Sequence, residues 1–137
     1  MHKVILMVLL AIVSSSAMAK WVEIAKDEEE TFTAYADPAT IRKTDNRVEI
    51  WILTDYMMAQ EPDDMKSSIS LDEYDCKKKK RRLLFLSAYT GHMTEGKSIY
   101  TYTKRTDWLP VPSGSVSGAL LEFACRFRSE PPRNSWV

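Results

Sequence analysis

Apolar and polar residues alternate along much of the chain, which is the pattern that predicts β-strands. The clearest strand covers residues 47–56, where β-branched and aromatic side chains dominate. Both of its faces are apolar, with Val48 and Ile50 on one side and Trp51 on the other. A strand with two apolar faces is usually central in its sheet or covered by another layer.

Five further segments have strand-like patterns, at residues 21–25, 31–36, 68–76, 83–89 and 98–103. Residues that favour turns separate these segments. We predict turns at Asp37-Pro38 and Asp45-Asn46, a loop over residues 57–67, and a hairpin loop between Gly91 and Gly96.

The spacing of apolar residues changes after residue 114 from a strand period to a helical one. The residues that recur at helical spacing are Val116, Ala119, Leu120, Phe123, Ala124 and Phe127. Ser115 precedes them and can cap the helix, because its hydroxyl accepts a bond from a free backbone N–H. The chain is therefore predicted to be an α+β protein. It would have a mostly antiparallel sheet of five or six strands with one C-terminal helix packed on a face.

Residues 1–19 have the pattern of a cleaved secretory signal. A positive Lys3 precedes an unbroken apolar run over residues 4–13, and Ala17-Met18-Ala19 fits a cleavage site. The apolar run would make a helix of only about 15 Å, so we predict no transmembrane segment. The alternative is a buried N-terminal helix. We expect cleavage near Ala19, a single domain over residues 20–127 and a disordered tail over residues 128–137.

Charge is divided unevenly along a chain whose formal net charge is zero. Residues 20–75 hold 6 basic and 15 acidic side chains, whereas residues 76–137 hold 12 basic and 4 acidic ones. Two interpretations are open: acidic and basic strands cancel through cross-strand pairs, or the surface is bipolar. The zero total argues against a nucleic-acid partner, because such proteins usually carry a basic excess.

The basic half begins with six consecutive cations, which form the candidate partner-binding region. These residues are Lys77, Lys78, Lys79, Lys80, Arg81 and Arg82. Six unpaired cations cannot be buried together, so much of this run is expected at an exposed hairpin end. It either protects a sheet edge from aggregation or binds polyanions, acidic protein segments or membrane phosphates.

Cys76 and Cys125 are the only two cysteines, and the predicted signal sends them to a compartment where disulfides persist. We expect them to pair, which would tie a strand end to the helix. Two separate buried thiols are the alternative.

The sequence offers little catalytic or metal-binding chemistry. Once the signal is removed, His92 is the sole histidine, and its setting in Gly91-His92-Met93 indicates a loop tip. No G-x-S-x-G motif is present, and zinc sites need more His or Cys ligands than this chain has. We therefore predict no catalytic residues, no cofactor and no metal; a carboxylate pair for glycoside cleavage is the remaining enzymatic option.

Several of these residues together resemble the surface-adhesin protein E family of Gram-negative bacteria. The resemblance begins with Trp21, Tyr35, Ile41-Arg42 and Trp51, and continues through Asp75-Cys76 and Arg82. It ends with Trp108, Pro112-Ser113-Gly114-Ser115 and Cys125, and covers nearly all of the chain between the signal and the tail.

The resemblance implies a sheet with a helix tethered by Cys76–Cys125, and a surface protein that binds host matrix and plasma proteins such as vitronectin, laminin and plasminogen. The implied binding region corresponds to residues 77–102 here. The resemblance also implies a lipoprotein, in which a lipidated cysteine would directly follow the cleavage site. Here Lys20 follows Ala19, so we do not predict a lipoprotein. The leading hypothesis is a non-enzymatic periplasmic or secreted binding module. The alternative is a structural or inhibitor-type protein that binds another envelope protein.

Overall fold

The structure is a computed structural model that describes residues 21–127. The predicted signal segment and the predicted tail therefore lie outside the described residues. The described part contains seven strands, a 3-10 turn and one helix. In chain order these are β1 (Val22–Lys26), β2 (Phe32–Thr44), β3 (Arg47–Gln60), β4 (Met65–Asp75), β5 (Lys80–Tyr89), the 3-10 turn (His92–Thr94), β6 (Ser98–Tyr102), β7 (Leu109–Pro110) and α1 (Val116–Arg126).

The strands form one antiparallel sheet in which neighbours in sequence are neighbours in space, in the order β1-β2-β3-β4-β5-β6. The short β7 pairs with the start of β5, where Leu109 lies opposite Arg81. This architecture confirms the predicted α+β class. Because each strand reverses direction, successive turns alternate between two ends of the sheet. The β2–β3 and β4–β5 turns share one end, and the β1–β2, β3–β4 and β5–β6 connections share the other.

Two predicted interruptions are wrong. Residues 57–67 were expected to be a loop, but β3 runs on to Gln60 and β4 begins at Met65. Only a short turn over residues 61–64 connects them, because Pro62 and the positive φ of Asp64 let the chain reverse within these four residues. At Asp37-Pro38 the chain does not turn. β2 continues through an irregularity in register between Asp37 and Arg42.

That irregularity is held by local hydrogen bonds that replace the missing sheet bonds. The Asp37 carboxylate accepts the Ala39 N–H at 3.1 Å, and the Thr40 hydroxyl donates to the Asp37 carbonyl at 2.6 Å. The same hydroxyl oxygen accepts the Trp51 N–H at 3.1 Å. These side chains satisfy backbone groups at the bulge, so a proline can be accommodated within a long strand.

Helix α1 packs on one face of the sheet, which we call the core face. The buried apolar cluster joins Leu120, Leu121 and Ala124 of α1 to residues of β2, β3 and β4, namely Ala34, Ala36, Val48, Ile50, Ile52 and Tyr74. The helical period of the apolar residues explains this packing, because it places them on one side of α1. The predicted helix and its predicted packing on the sheet are therefore confirmed.

Both ends of α1 are satisfied by hydrogen bonds from outside the helix. The Ser115 hydroxyl accepts the Gly118 N–H at 2.9 Å, which confirms the predicted N-cap. At the other end, Lys43 Nζ donates to the carbonyls of Cys125 and Phe127 at 3.1 and 2.6 Å. A cation at this position stabilises the last carbonyls of a helix and its negative dipole end.

The opposite, second face of the sheet carries a different apolar set. Trp51 and Phe85 meet edge to face with ring centroids 5.4 Å apart, and Leu71 lies between them in register. Ile69 and Leu71 of β4 thus lie on the second face. Ser68, Ser70 and Asp72 of the same strand are buried on the core face.

Cys76 and Cys125 form a disulfide with an S–S distance of 2.07 Å and a Cα–Cα distance of 5.8 Å. The predicted pairing is confirmed. The bond ties the β4–β5 turn to the last turn of α1 and therefore fixes the helix to the end of the sheet that carries the basic run.

Candidate binding surface

The predicted basic run lies at the β4–β5 turn. Residues 76–79 form the turn, and β5 begins at Lys80. The Asp75 carboxylate accepts the backbone N–H groups of Lys77 and Lys78 at 3.1 and 2.9 Å. These hydrogen bonds lower the pKa of Asp75 below its usual value, and the one from Lys78 has the largest effect. The lysines are therefore carried on a turn whose backbone is fixed by a local carboxylate.

The structure divides the six predicted residues into two groups. Lys77, Lys78, Lys79 and Lys80 are exposed, and we call these four the basic tip. Arg81 and Arg82 lie farther along β5 and are half-buried, one on each face of the sheet. Side chains alternate along a strand, so two consecutive arginines cannot both point to the same surface.

Both arginines form ion pairs with acidic residues of β4. Arg82 Nε donates to Glu73 Oε1 at 2.6 Å, and both side chains are mostly buried. Arg81 Nη1 lies 3.9 Å from Asp72 Oδ2. These pairs support the cross-strand interpretation of the divided charge, but only for the arginines.

The four lysines of the basic tip belong to a bipolar arrangement at the ends of the sheet. The opposite end carries the exposed acidic residues of the β1–β2 and β3–β4 turns, which are Glu28, Glu29, Glu30, Glu61, Asp63 and Asp64. Both interpretations therefore apply. The arginines of β5 pair with acidic residues of β4, whereas the basic and acidic turns lie at opposite ends of the sheet.

A tryptophan next to the basic tip was not predicted as part of the site. Trp108 stacks against two arginines, with Arg82 Cζ 4.3 Å and Arg47 Cζ 5.5 Å from a ring centroid. Such cation–π contacts fix both guanidinium groups and the indole. No sequence spacing links Arg47, Arg82 and Trp108, because pairing of β3, β4 and β5 is what brings them together.

A family model described as surface-adhesin protein E matches residues 21–126. The chain belongs to the surface-adhesin protein E family. The family and the disulfide fit a protein that works outside the cytoplasm.

Solved structures of protein E from Haemophilus influenzae have a similar fold. One crystal form gives a TM-score of 0.55 at 10% identity, over 80% of this chain and 90% of that one. A second structure gives 0.54 at 12% identity, over 80% and 86%. The protein from a non-typeable strain gives 0.51 at 12% identity, over 80% and 79%. At these identities the similarity shows the fold alone. A search of curated protein sequences finds no match.

The sole histidine of the described residues lies in the β5–β6 loop, as predicted. His92 Nδ1 is 3.3 Å from Asp55 Oδ1, which also accepts the Met93 N–H at 2.8 Å. This pair holds the loop over the end of β3. Among residues 21–127, no three His, Cys, Asp or Glu side chains group closely enough to hold a metal ion. No helix in that range is long and apolar enough to cross a membrane.

Proposed function

We propose that this protein is a non-enzymatic, adhesin-like binding module that contacts acidic segments of a partner protein through the basic tip. The observation that carries the proposal is the exposure of four consecutive lysines in a member of a surface-adhesin family. Three of them lie on a turn that Asp75 fixes, and the fourth begins β5. The partner would be a host matrix or plasma protein.

The electrostatics of the tip support this role. The lysines of the tip project from one end of the sheet, and the acidic turns lie at the other end, so they do not neutralise it. A localised positive potential steers acidic partners and raises their association rate. Because the turn is already ordered, little backbone entropy is lost when a partner binds.

The Trp108 stack adds a contact of a different kind. Tryptophan and arginine are enriched among the residues that dominate binding energy at interfaces. Arg47 is exposed, whereas Trp108 is half-buried beside it. A carboxylate of the partner would meet the Arg47 guanidinium in a geometry that the indole already fixes.

The location proposed for this function is the periplasm or the exterior. Cleavage near Ala19 would release a mature chain with one domain over residues 20–127 and a tail over residues 128–137.

A second candidate is a structural or inhibitor-type protein that binds another envelope protein through an apolar surface. It is favoured by an apolar cavity of about 350 Å³ beside β5 and β6, lined by Leu83, Phe85, Leu86 and Tyr102. Tyr102 and Leu109 at this edge are 60% and 55% exposed. Both side chains would bury apolar surface on binding a partner, which stabilises a complex.

The experiment compares two variants of equal charge. One replaces the four lysines of the basic tip with glutamine; the control replaces Lys26, Lys66, Lys104 and Arg105 with glutamine. Binding of the secreted protein to immobilised vitronectin, laminin and plasminogen is measured at low and high salt.

We expect the basic-tip variant to lose about tenfold or more in affinity and the control to lose far less, with wild-type binding weakened by salt. Equal binding by the two variants contradicts the proposal. Loss of envelope-protein capture only in a Tyr102→Ser, Leu109→Ser variant supports the second candidate instead.

A further inference from the structure

The apolar cavity beside β5 and β6, which we call the edge cavity, lies at a gap in the edge of the sheet. β6 pairs with β5 only from Leu86 to Tyr89, and β7 pairs only with Lys80 and Arg81. None of the seven described strands therefore lies beside residues 82–85 on this side of β5. The segment 103–108 crosses the gap instead, because it connects β6 to β7.

Thr106 fixes this segment to β5 at a single residue. The Thr106 N–H donates to the Leu83 carbonyl at 3.0 Å, and the Thr106 hydroxyl oxygen accepts the Leu83 N–H at 2.9 Å. Between Tyr102, the last residue of β6, and Thr106 the chain is not paired with β5 as a strand. The edge cavity, of about 350 Å³, lies between this stretch and β5.

The lining of the edge cavity combines an apolar wall with two cations. The apolar wall is formed by Leu83, Phe85, Leu86 and Tyr102. Lys104 and Arg105 complete the lining together with Thr106, and both cations are exposed. No acidic side chain lines the cavity, and neither cation forms an ion pair with any residue from 21 to 127. One side of an apolar cavity is therefore positive and is not neutralised.

This combination of size and chemistry is typical of a site for a small amphipathic ligand. Such sites are mostly apolar, and a few polar groups fix the orientation of the ligand. The apolar wall favours burial of a hydrocarbon chain, whereas the two cations attract an anionic group and repel a cationic one. The ligand that complements the cavity is therefore an anion attached to an apolar chain.

The cavity has room for such a chain. A cavity of about 150 Å³ holds benzene, so one of about 350 Å³ suits a ligand of about fourteen non-hydrogen atoms. Leu83 and Leu86 also line a second cavity, of about 260 Å³, between the core face of the sheet and the first turns of α1. The apolar wall thus continues along the core face of β5.

We propose that the edge cavity binds a free, single-chain carboxylate of about twelve carbon atoms. The chain lies against Leu83, Leu86 and Tyr102, and the carboxylate accepts charge-assisted hydrogen bonds from Lys104 and Arg105. The site shares no residue with the basic tip, so it goes beyond the proposed function. The second candidate function would place a protein on the same apolar wall, but that contact would not require an anionic group.

The test uses three probes on the isotope-labelled secreted chain at about pH 7, each below the concentration at which it forms micelles. Dodecanoate is the proposed ligand, hexanoate has the same head group on a shorter chain, and dodecyltrimethylammonium has the same chain with the opposite charge. We expect dodecanoate to give saturable shifts in the backbone NMR signals of Leu83, Leu86 and Tyr102. The other two probes should bind about tenfold more weakly or worse. Absence of saturable shifts with dodecanoate, or equal binding of dodecanoate and either other probe, overturns the proposal.

A charge-reversed variant tests the contact with the head group. Lys104→Glu, Arg105→Glu should weaken dodecanoate binding by about tenfold or more and should shift the preference toward dodecyltrimethylammonium. The control, Lys26→Glu, Lys97→Glu, changes the net charge equally at exposed residues outside the edge cavity, and should keep dodecanoate affinity within about twofold. Far-ultraviolet circular dichroism checks that both variants are folded. An unchanged preference in the charge-reversed variant, or an equal loss in the control, contradicts the assignment of the site.

Vesicles of phosphatidylglycerol test whether the anion belongs to a membrane instead. We expect wild type and Lys104→Glu, Arg105→Glu to co-sediment with these vesicles to the same extent, because the proposed ligand is a carboxylate in solution. Loss of co-sedimentation in this variant, together with absence of dodecanoate shifts in wild type, would assign the two cations to a membrane surface and overturn the proposal.

Discussion

Arg82 and Glu73 face each other across β5 and β4, with Nε and Oε1 2.6 Å apart. Their side chains are 13% and 12% exposed, so the pair is largely shielded from water. Arg82 also lies over the Trp108 ring, with Cζ 4.3 Å from the centroid. One hydrogen-bonded ion pair thus holds the cation that positions the tryptophan beside the basic tip.

Glu73→Gln is expected to lower the free energy of unfolding by about 1–3 kcal/mol, because it leaves a mostly buried guanidinium without its charged partner. Chemical denaturation measures the change. Glu28→Gln, in an exposed turn, is the control and should change stability by no more than about 0.5 kcal/mol. A loss of similar size in both variants would show that the Arg82–Glu73 pair contributes nothing specific.

Replacing Cys76 and Cys125 by serine is expected to destabilise the protein by about 4 kcal/mol, the chain-entropy value for a loop closed by two cysteines at a sequence separation of 49. The reason is that the unfolded chain gains conformations once the loop is open. Thermal unfolding followed by circular dichroism measures the change. Wild-type protein treated with a reductant should match the double variant, and an unchanged melting temperature in both would contradict the expectation.

The Asp75 carboxylate should make stability depend on pH. Hydrogen bonds from Lys78 and Lys77 lower its pKa in the folded state below the unfolded value of 3.8. A depressed carboxyl pKa stabilises the fold above the unfolded pKa, and this contribution is lost as the pH falls through the folded pKa. Asp75→Asn should therefore be less stable than wild type at pH 7, and the difference should shrink below about pH 4.

Denaturation at a series of pH values from 2 to 7 measures that difference for Asp75→Asn. Asp63→Asn, at the exposed β3–β4 turn, removes one negative charge without touching the β4–β5 turn. A stability difference for Asp75→Asn that is the same at pH 3 and pH 7 would show that ionisation of Asp75 does not hold the turn.

Ser115→Ala is expected to lower stability by about 1 kcal/mol, because the Gly118 N–H loses its hydrogen-bond acceptor at the start of α1. Ser113→Ala serves as the control, since it removes a hydroxyl from an exposed residue of the same segment. Urea denaturation compares the two variants. Equal stability of Ser115→Ala and wild type would rule out a stabilising role for the cap.

The candidate site could be predicted from the sequence only in part. The six cations stand together in the sequence, so their exposure at a hairpin end could be expected. The sequence could not show which of these cations remain free to contact a partner, because that depends on the pairing of β5 with β4. Register places Glu73 opposite Arg82, and a shift by one residue would exchange the faces of Arg81 and Arg82.

Local sequence patterns are enough to predict the strands with strong alternation, the helical period after Ser115, its cap and the pairing of two cysteines. These features depend on local preference or on there being a single possible partner. Other features become visible only in the folded chain: which face of β4 meets α1, how β2 passes Pro38 without turning, and where Asp72 and Trp108 lie. The physical reason is that an alternating strand offers two faces of opposite character. The face that is buried is fixed by contacts between residues far apart in the chain.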